Sequence, residues 1–167
     1  MRRFSLLLFF SLLLGCVAFI VGTFEQLPRR VASHFGSGGE SNAWMRRENY
    51  LLFMLGLATL LPLFLVGSLA WLPRFTSRNI KVPNREYWLA PARRGDTLAA
   101  LGTFGGWLGC LLTFFIGALH YTILDANSSV PARMPGPFPW TLLGGFVAAT
   151  LAWQALFWLR FRAPKST

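Results

Sequence analysis

Four long stretches of this chain carry no Asp, Glu, Lys or Arg. A helix needs roughly 20 mostly apolar residues to cross about 30 Å of hydrocarbon, and each stretch is long enough; they cover residues 4–24, 49–73, 97–124 and 134–159. We therefore expect an all-α, polytopic membrane protein whose residues 1–167 form a single integral membrane domain. The predicted transmembrane helices span about residues 4–24, 50–72, 97–121 and 140–160.

The charged residues are few and clustered between these stretches. The chain is 54% hydrophobic and 13% charged, whereas a soluble domain is about 25% charged. A net charge of +10 is compatible with nucleic-acid binding, but the basic residues flank the apolar stretches as the positive-inside rule describes. Eleven of the 16 Lys and Arg residues lie in the N-terminus, the loop at 73–96 and the tail, and five lie in the loops at 25–49 and 125–139. We predict cytoplasmic termini, an inner loop at 73–96, outer loops at 25–49 and 125–139, and no nucleic-acid partner.

The first apolar stretch also resembles a leader sequence. The segment "LLLGC" ending at Cys16 is similar to a lipoprotein cleavage box. However, Leu14 is large where a small residue is usual, and the stretch stays apolar to Phe24, whereas a leader has an apolar core of about 7–15 residues. An uncleaved helix is favoured. Cys16 and Cys110 both fall inside predicted helices, so we expect small buried residues rather than a disulfide or zinc pair.

The third apolar stretch contains two overlapping ridges of glycine. Such ridges let helices in lipid approach closely, because no hydrophobic effect draws one apolar helix onto another. The ridges are Gly102 with Gly106 and Gly105 with Gly109, and the fourth stretch has small residues at Gly144, Gly145, Ala148, Ala149 and Ala152. We expect a tight hairpin of the third and fourth helices. Homodimerisation through the same faces is the alternative.

The candidates for chemistry lie on the predicted outer side. No predicted helix has an acidic or basic residue in its interior, which disfavours ion-coupled transport. Two imidazoles with carboxylates are the ingredients of a zinc site, but the spacing matches no metal-site motif and no nucleophile elbow. We therefore predict no catalytic residue and no cofactor, and for His120 an interfacial hydrogen bond to a carbonyl. The alternative is a small membrane enzyme or metal-binding protein that uses His34 and His120, with Asp125 as a further ligand.

The inner loop contains the segment "NIKVPNREYWLAPARRGD", residues 79–96. Tyr87 and Trp88 lie among arginines, a pattern typical of a segment on the cytoplasmic membrane face with anionic headgroups as partners. Pro91 is suited to begin the third helix, which would continue below the bilayer through Arg93 and Arg94. We interpret the loop as determining topology and contacting lipid. The alternative is a docking surface for a protein partner.

The first outer loop contains "LPRRVASHFGSGGESNAW", residues 27–44. Pro28 ends the first helix, and the glycines permit turns. We expect a compact cap on the outer face. His34 and Trp44 would be its fixed points, and the side chain of Asn42 would bond to loop backbone.

Both loops together resemble a domain of unknown function in bacterial membrane proteins, which include the SdpI-type toxin-immunity and signalling proteins. The resemblance implies a four-helix protein of the bacterial inner membrane. It departs from the usual pattern at Ala32, where proline is typical, and SdpI-type proteins have more helices. The matching residues are Leu27, Pro28, His34, Phe35, Gly39, Asn42 and Trp44, then Asn84, Tyr87, Trp88, Ala90, Pro91, Arg93 and Arg94.

The functional expectation is a non-enzymatic integral membrane protein with a sensing, immunity or ligand-binding role through its outer loop. Arg29 and Arg30 would attract anionic groups on an extracytoplasmic peptide, lipid headgroup or other small ligand. An accessory subunit of a membrane complex is a further alternative. In that case the glycine ridge of the third helix would face another chain.

Overall fold

The computed structural model describes residues 1–75, 80–134 and 136–162. Arg78 and Lys165, counted above for the predicted topology, lie outside the described residues. In chain order the elements are α1 (Arg2–Thr23), a 3-10 turn (Phe24–Gln26), β1 (Arg30–Phe35), β2 (Ser41–Arg46), α2 (Arg47–Ala70), α3 (Leu72–Phe75), α4 (Arg85–Trp88), α5 (Pro91–Asn127) and α6 (Phe138–Arg160).

Four of these helices are long and apolar enough to cross a membrane, which confirms the predicted multi-pass architecture. Helix α5 differs most from its predicted bounds, because it contains 37 residues. At 1.5 Å per residue it is about 55 Å long, well beyond the roughly 30 Å of hydrocarbon. It begins at Pro91, as the sequence predicts, so Arg93 and Arg94 belong to its first turns.

The first outer loop contains two β-strands. The prediction of an all-α protein is wrong in this respect. Strands β1 and β2 pair antiparallel, with Arg30 opposite Arg46 and Ala32 opposite Trp44. The Gly36 N–H donates to the Glu40 carbonyl at 2.8 Å to close the turn. Gly39 has φ of 82°, a conformation that glycine adopts without steric cost. We call the end of the bundle that carries this two-stranded sheet the hairpin end, and the opposite end the α4 end.

Helix α5 is the central helix of the bundle, and its glycine ridge packs on α1 and α2. A Cβ at Gly106 would lie 2.6 Å from Ser5 Oγ on α1, and one at Gly109 would lie 2.5 Å from a methyl group of Val66 on α2. The predicted packing of this ridge on the fourth span is therefore wrong. A Cβ at Gly144 would meet no atom of the described residues within 4 Å.

Helix α6 instead packs on α5 through aromatic rings. The rings of Phe115 and Phe146 stack with centroids 4.2 Å apart. The indole N–H of Trp153 donates to the Phe104 carbonyl at 3.0 Å. Large rings keep the axes of two helices apart. The interface between α5 and α6 therefore does not use the close approach that the glycine ridge permits. Only 6% of the apolar window of α6 is buried, against 50% for α5, so most of the apolar surface of α6 lies on the outside of the bundle.

Both cysteines are free and buried, as the sequence predicts. Cys16 belongs to a cluster of apolar side chains that includes Ile20 and Ile116. Cys110 packs in a second cluster with Phe9 and Val66. Each thiol thus serves as a small core side chain.

Candidate ligand-binding site

Two features attach β1 to the bundle: Val31 is buried in the apolar core, and the side chain of Asn127, in the last turn of α5, bonds to the backbone of Ala32. Asn127 Oδ1 accepts the Ala32 N–H at 2.8 Å, and its Nδ2 donates to the Ala32 carbonyl at 3.0 Å. Nδ2 also donates to the Ile123 carbonyl at 2.9 Å. Ala32 is fully buried, so these bonds satisfy a backbone amide and carbonyl that water does not reach. Asn127 was not predicted as a site residue, although an amide just past an apolar stretch is a signal for such a contact.

The tip of the hairpin is held by the second outer loop. Met134 N–H donates to the Gly39 carbonyl at 2.8 Å, and Glu40 and Arg133 form an isolated antiparallel bridge. The guanidinium of Arg133 reaches the Gly38 carbonyl at 3.3 Å. The two outer loops therefore form one surface at the hairpin end.

His34 and Asn42 meet across this hairpin. His34 Nδ1 lies 2.7 Å from Asn42 Oδ1, so the nitrogen donates and the amide oxygen accepts. The expected bond from Asn42 to loop backbone is replaced by this side-chain pair. Trp44 lies opposite Ala32 in the strand register and is 49% exposed.

Between the hairpin and the adjoining ends of α5 and α6 lies a cavity of about 640 Å³. We call it the hairpin cavity. Its rim carries His34, Ser37 and Arg133, and its wall carries apolar side chains that include Phe115 and Leu143. The wall residues belong to the uncharged stretches that are predicted to lie in hydrocarbon, whereas the rim belongs to the outer loops. The cavity therefore has a polar entrance and an apolar interior.

His120 is fully buried in the bundle and has two hydroxyl partners instead of the expected carbonyl. Its Nε2 lies 2.8 Å from Thr23 Oγ1, whose single proton is already donated to the Phe19 carbonyl at 2.7 Å. Nε2 must therefore be the donor to Thr23. Nδ1 is then the acceptor for the Tyr50 hydroxyl, 2.9 Å away. The arrangement stabilises the neutral Nε2–H tautomer of a buried imidazole.

The structure does not assemble the alternative metal site. Both ring nitrogens of His120 are occupied by Thr23 and Tyr50, and Nδ1 of His34 is bonded to Asn42. Asp125 is exposed in the last turns of α5. Within the described ranges, no group of three His, Cys, Asp or Glu residues is placed to hold a metal ion.

Arg29 and Arg30 lie at the other end of the hairpin from the cavity, at its base. They share a depression of about 510 Å³ with Arg46, Arg47 and Glu48. The sequence analysis singled out the first two arginines but not the second two, which the strand pairing brings beside them.

At the α4 end, the inner-loop residues form a contact with the end of α6. Nδ2 of Asn84 and Nε1 of Trp88 each donate to the Phe161 carbonyl at 3.0 Å. The Arg160 guanidinium lies 4.7 Å from the centroid of the Trp88 ring. Asn84 has φ of 51°, a conformation that asparagine tolerates better than most residues.

Two further inner-loop arginines lie beside this contact. The Arg93 guanidinium lies 4.0 Å above the centroid of the Tyr87 ring, which is a cation–π geometry. Arg94 lines a shallow depression with Arg85 and Glu86. Residues 84–94 of the loop are therefore attached to the ends of α5 and α6.

Comparison with protein-family models, with curated proteins and with solved structures found no match to this chain.

Proposed function

We propose that this protein is a non-enzymatic, multi-pass protein of the bacterial cytoplasmic membrane that binds an amphiphilic molecule in the hairpin cavity. Its termini and α4 would face the cytoplasm, where the basic side chains contact anionic headgroups. The hairpin would face outward. The observation that carries the proposal is the composition of the hairpin cavity, which joins a polar rim on the outer loops to an apolar wall on the candidate membrane-spanning helices.

The size and position of the cavity support an amphiphile. Ligand sites commonly measure about 300–1,000 Å³ and combine apolar walls with a few polar groups, and the hairpin cavity is about 640 Å³. The apolar part of a ligand would lie between Phe115 and Leu143. Its polar part would lie beside Arg133, which offers hydrogen-bond donors, and beside His34, whose Nδ1–H is already donated to Asn42.

A binding role without catalysis is supported by the hydrogen bonds of the two histidines, which are the candidate catalytic residues. His120 has both nitrogens engaged inside the bundle. His34 uses Nδ1 to hold Asn42 across the hairpin. These contacts give each imidazole a structural role. The relation to SdpI-type proteins stays a prediction.

Photolabelling in membranes tests the proposal. The protein would be reconstituted with a diacyl phospholipid that carries a diazirine in one acyl chain, and labelled peptides would be mapped by mass spectrometry. We expect labels on Phe115 and Leu119, both in the cavity wall. Leu143→Trp should fill the cavity and reduce this labelling at least about fivefold.

The matched control is Leu151→Trp, the same change on the same helix at an exposed position outside the cavity lining. It should leave labelling of Phe115 unchanged. Equal labelling of the wild type and Leu143→Trp at Phe115 and Leu119 would overturn the proposal. So would equal loss in both variants, because labelling would then depend on the helix rather than on the cavity.

The orientation has its own test. Ser37 at the hairpin tip and Lys81 near α4 are both exposed, and each can be replaced singly by cysteine. A membrane-impermeant maleimide should label Ser37→Cys in intact cells and label Lys81→Cys only after the membrane is permeabilised. The reverse pattern would show that the hairpin faces the cytoplasm.

A further inference from the structure

Four arginines converge at the base of the hairpin. β1 begins at Arg30 and β2 ends at Arg46, and the register places these two residues opposite each other. Arg29 precedes the first and Arg47 follows the second, and the Arg47 N–H donates to the Arg29 carbonyl at 3.1 Å. We call these four residues the arginine quartet. In the sequence these arginines form two adjacent pairs, and Arg30 and Arg46 are 16 residues apart. The pairing of the strands brings the two pairs together.

Acidic side chains balance only part of the positive charge of the quartet. Glu48 is the one acidic residue that lines the same depression, so the side chains that line it sum to about +3 at neutral pH. Like charges directly opposite on paired strands destabilise a hairpin. Within the described part of the chain, none of the four guanidinium groups forms an ion pair. The depression is therefore an unneutralised cationic surface.

Membrane topology does not account for the quartet. The positive-inside rule places an excess of basic residues on the cytoplasmic side, and the α4 end already carries that excess in this chain. Four arginines at the hairpin end work against the proposed orientation. A local ligand is a more direct reason for their presence.

Arg47 is already held in place for such a ligand. Its Nη1 donates to the carbonyls of Glu25 and Leu27 at 3.2 and 3.3 Å, and its guanidinium lies 4.7 Å from the Phe24 ring centroid. A guanidinium that is fixed on one side loses little freedom when its remaining exposed N–H groups bind an anion.

The start of α2 adds to this field. Arg47 is the first residue of α2, and the residue before it, Arg46, forms no side-chain cap bond. A helix of 24 residues carries partial positive charge at its N-terminus, which favours anions, although the first N–H, that of Arg47, is already donated to the Arg29 carbonyl. The depression lies where α1 ends and α2 begins, at the level expected for lipid phosphates.

We propose that the arginine quartet binds the phosphate group of an anionic phospholipid in the leaflet next to the hairpin. Guanidinium groups pair with phosphate through two parallel hydrogen bonds, and several can share one headgroup. This site lies at the opposite end of the hairpin from the hairpin cavity. The inference is therefore independent of the ligand proposed for that cavity.

Lipid titration of the full chain in a neutral detergent tests the site. Bound lipid would be counted by native mass spectrometry with phosphatidylglycerol, with phosphatidylcholine of the same acyl chains, and with inorganic phosphate as a competitor. We expect retention of phosphatidylglycerol over phosphatidylcholine. Arg30→Gln/Arg46→Gln should weaken that retention roughly tenfold to thirtyfold, since each basic residue near a membrane contributes on the order of a few-fold in affinity.

The matched control removes the same charge elsewhere. Lys81→Gln/Arg162→Gln also removes two positive charges, from exposed positions at the α4 end. It weakens only exposed headgroup contacts at that end, so it should reduce retention less than about threefold and clearly less than the quartet variant does. Arg30→Lys/Arg46→Lys keeps the charge but loses the paired hydrogen bonds, and should give an intermediate loss. It also serves as the test if the glutamine variant does not fold.

Three results would overturn the proposal. Equal weakening by both charge-removing variants would show a bulk charge effect. If Arg30→Gln/Arg46→Gln and Arg30→Lys/Arg46→Lys both retained phosphatidylglycerol as well as the wild type does, the quartet would contribute nothing to binding. Full displacement of lipid by millimolar inorganic phosphate would assign the site to a soluble anion. None of these results bears on labelling of the hairpin cavity.

Discussion

Asn127 and Ala32 are 95 residues apart in the chain, yet the amide of one pairs with both backbone polar groups of the other. This contact joins the end of the central helix to the first strand of the hairpin. Ala32 is fully buried, so no water replaces a lost partner. The position of the hairpin over the bundle, and with it one wall of the hairpin cavity, depends on this contact.

Asn127→Ala should therefore destabilise the protein by about 2–4 kcal/mol, because it leaves a buried N–H and carbonyl unsatisfied. Thermal unfolding in detergent, followed by tryptophan fluorescence, measures the loss. Asn127→Asp keeps the acceptor for the Ala32 N–H but turns a second oxygen, in place of Nδ2, toward the Ala32 and Ile123 carbonyls, so it should also destabilise the protein. Asn49→Ala, at an exposed position near the start of α2, is the control. A wild-type melting temperature for Asn127→Ala would contradict the proposed role of this contact.

Replacement of glycine by alanine should have opposite effects on stability in α5 and in α6. Gly106→Ala places a Cβ 2.6 Å from Ser5 Oγ and 2.9 Å from the Ser5 backbone carbon, so it should destabilise the packing of α1 on α5 by about 1–3 kcal/mol. Gly144→Ala meets nothing within 4 Å and should be neutral or slightly stabilising, because alanine favours helix. Melting temperatures and gel filtration of both variants check this. If Gly106→Ala instead dissociated an oligomer of stable monomers, the ridge would be an interface between chains.

The buried His120 should be coupled energetically to Tyr50. Tyr50→Phe removes one hydroxyl and should cost about 1 kcal/mol in the wild type. In a His120→Phe background the same change should cost close to nothing, since the acceptor Nδ1 is already gone. A double-mutant cycle on unfolding free energies isolates this term. Additive effects would show that the hydroxyl and the imidazole do not interact.

At the α4 end, Trp88→Phe should loosen the contact between the inner loop and α6. It keeps the aromatic ring but removes the donor to the Phe161 carbonyl. We expect faster tryptic cleavage at Arg160 and at Lys81, measured as a rate in detergent, by about twofold to tenfold. Trp158→Phe is the control, because Trp158 lies on the exposed face of α6. Equal rates for wild type and Trp88→Phe would show that Asn84 alone holds the loop.

The candidate site was only partly accessible from sequence. His34, Asn42, Arg29 and Arg30 were singled out by residue type, and the structure places all four on the hairpin. The patterns did not show that His34 pairs with Asn42 or that Arg46 joins Arg30, because both relationships depend on strand register. A register is fixed by the turn and by contacts to the bundle, neither of which has a local signature here.

The buried triad of His120, Tyr50 and Thr23 was missed for a similar reason. The three residues come from three different helices, each near the hairpin end. The signal available in the sequence was a hydroxyl residue, Thr23 or Tyr50, near the same end of its apolar stretch as His120. The sequence shows that such groups exist, but only the rotation of each helix about its axis decides whether they face one another or lipid.

By itself, the sequence determined that four helices are long and apolar enough to span a membrane, where they lie in the chain, and that α5 begins at Pro91. These features follow from local chemistry, because every backbone polar group in hydrocarbon must be satisfied within its own segment, and a helix does this. Tertiary structure alone decided that the glycines of α5 face Ser5 and Val66 rather than α6. It also placed Asn127 on Ala32 and gathered the arginine quartet. Helices in lipid associate through shape and scattered hydrogen bonds rather than through hydrophobicity, so their partners depend on side chains far apart in sequence.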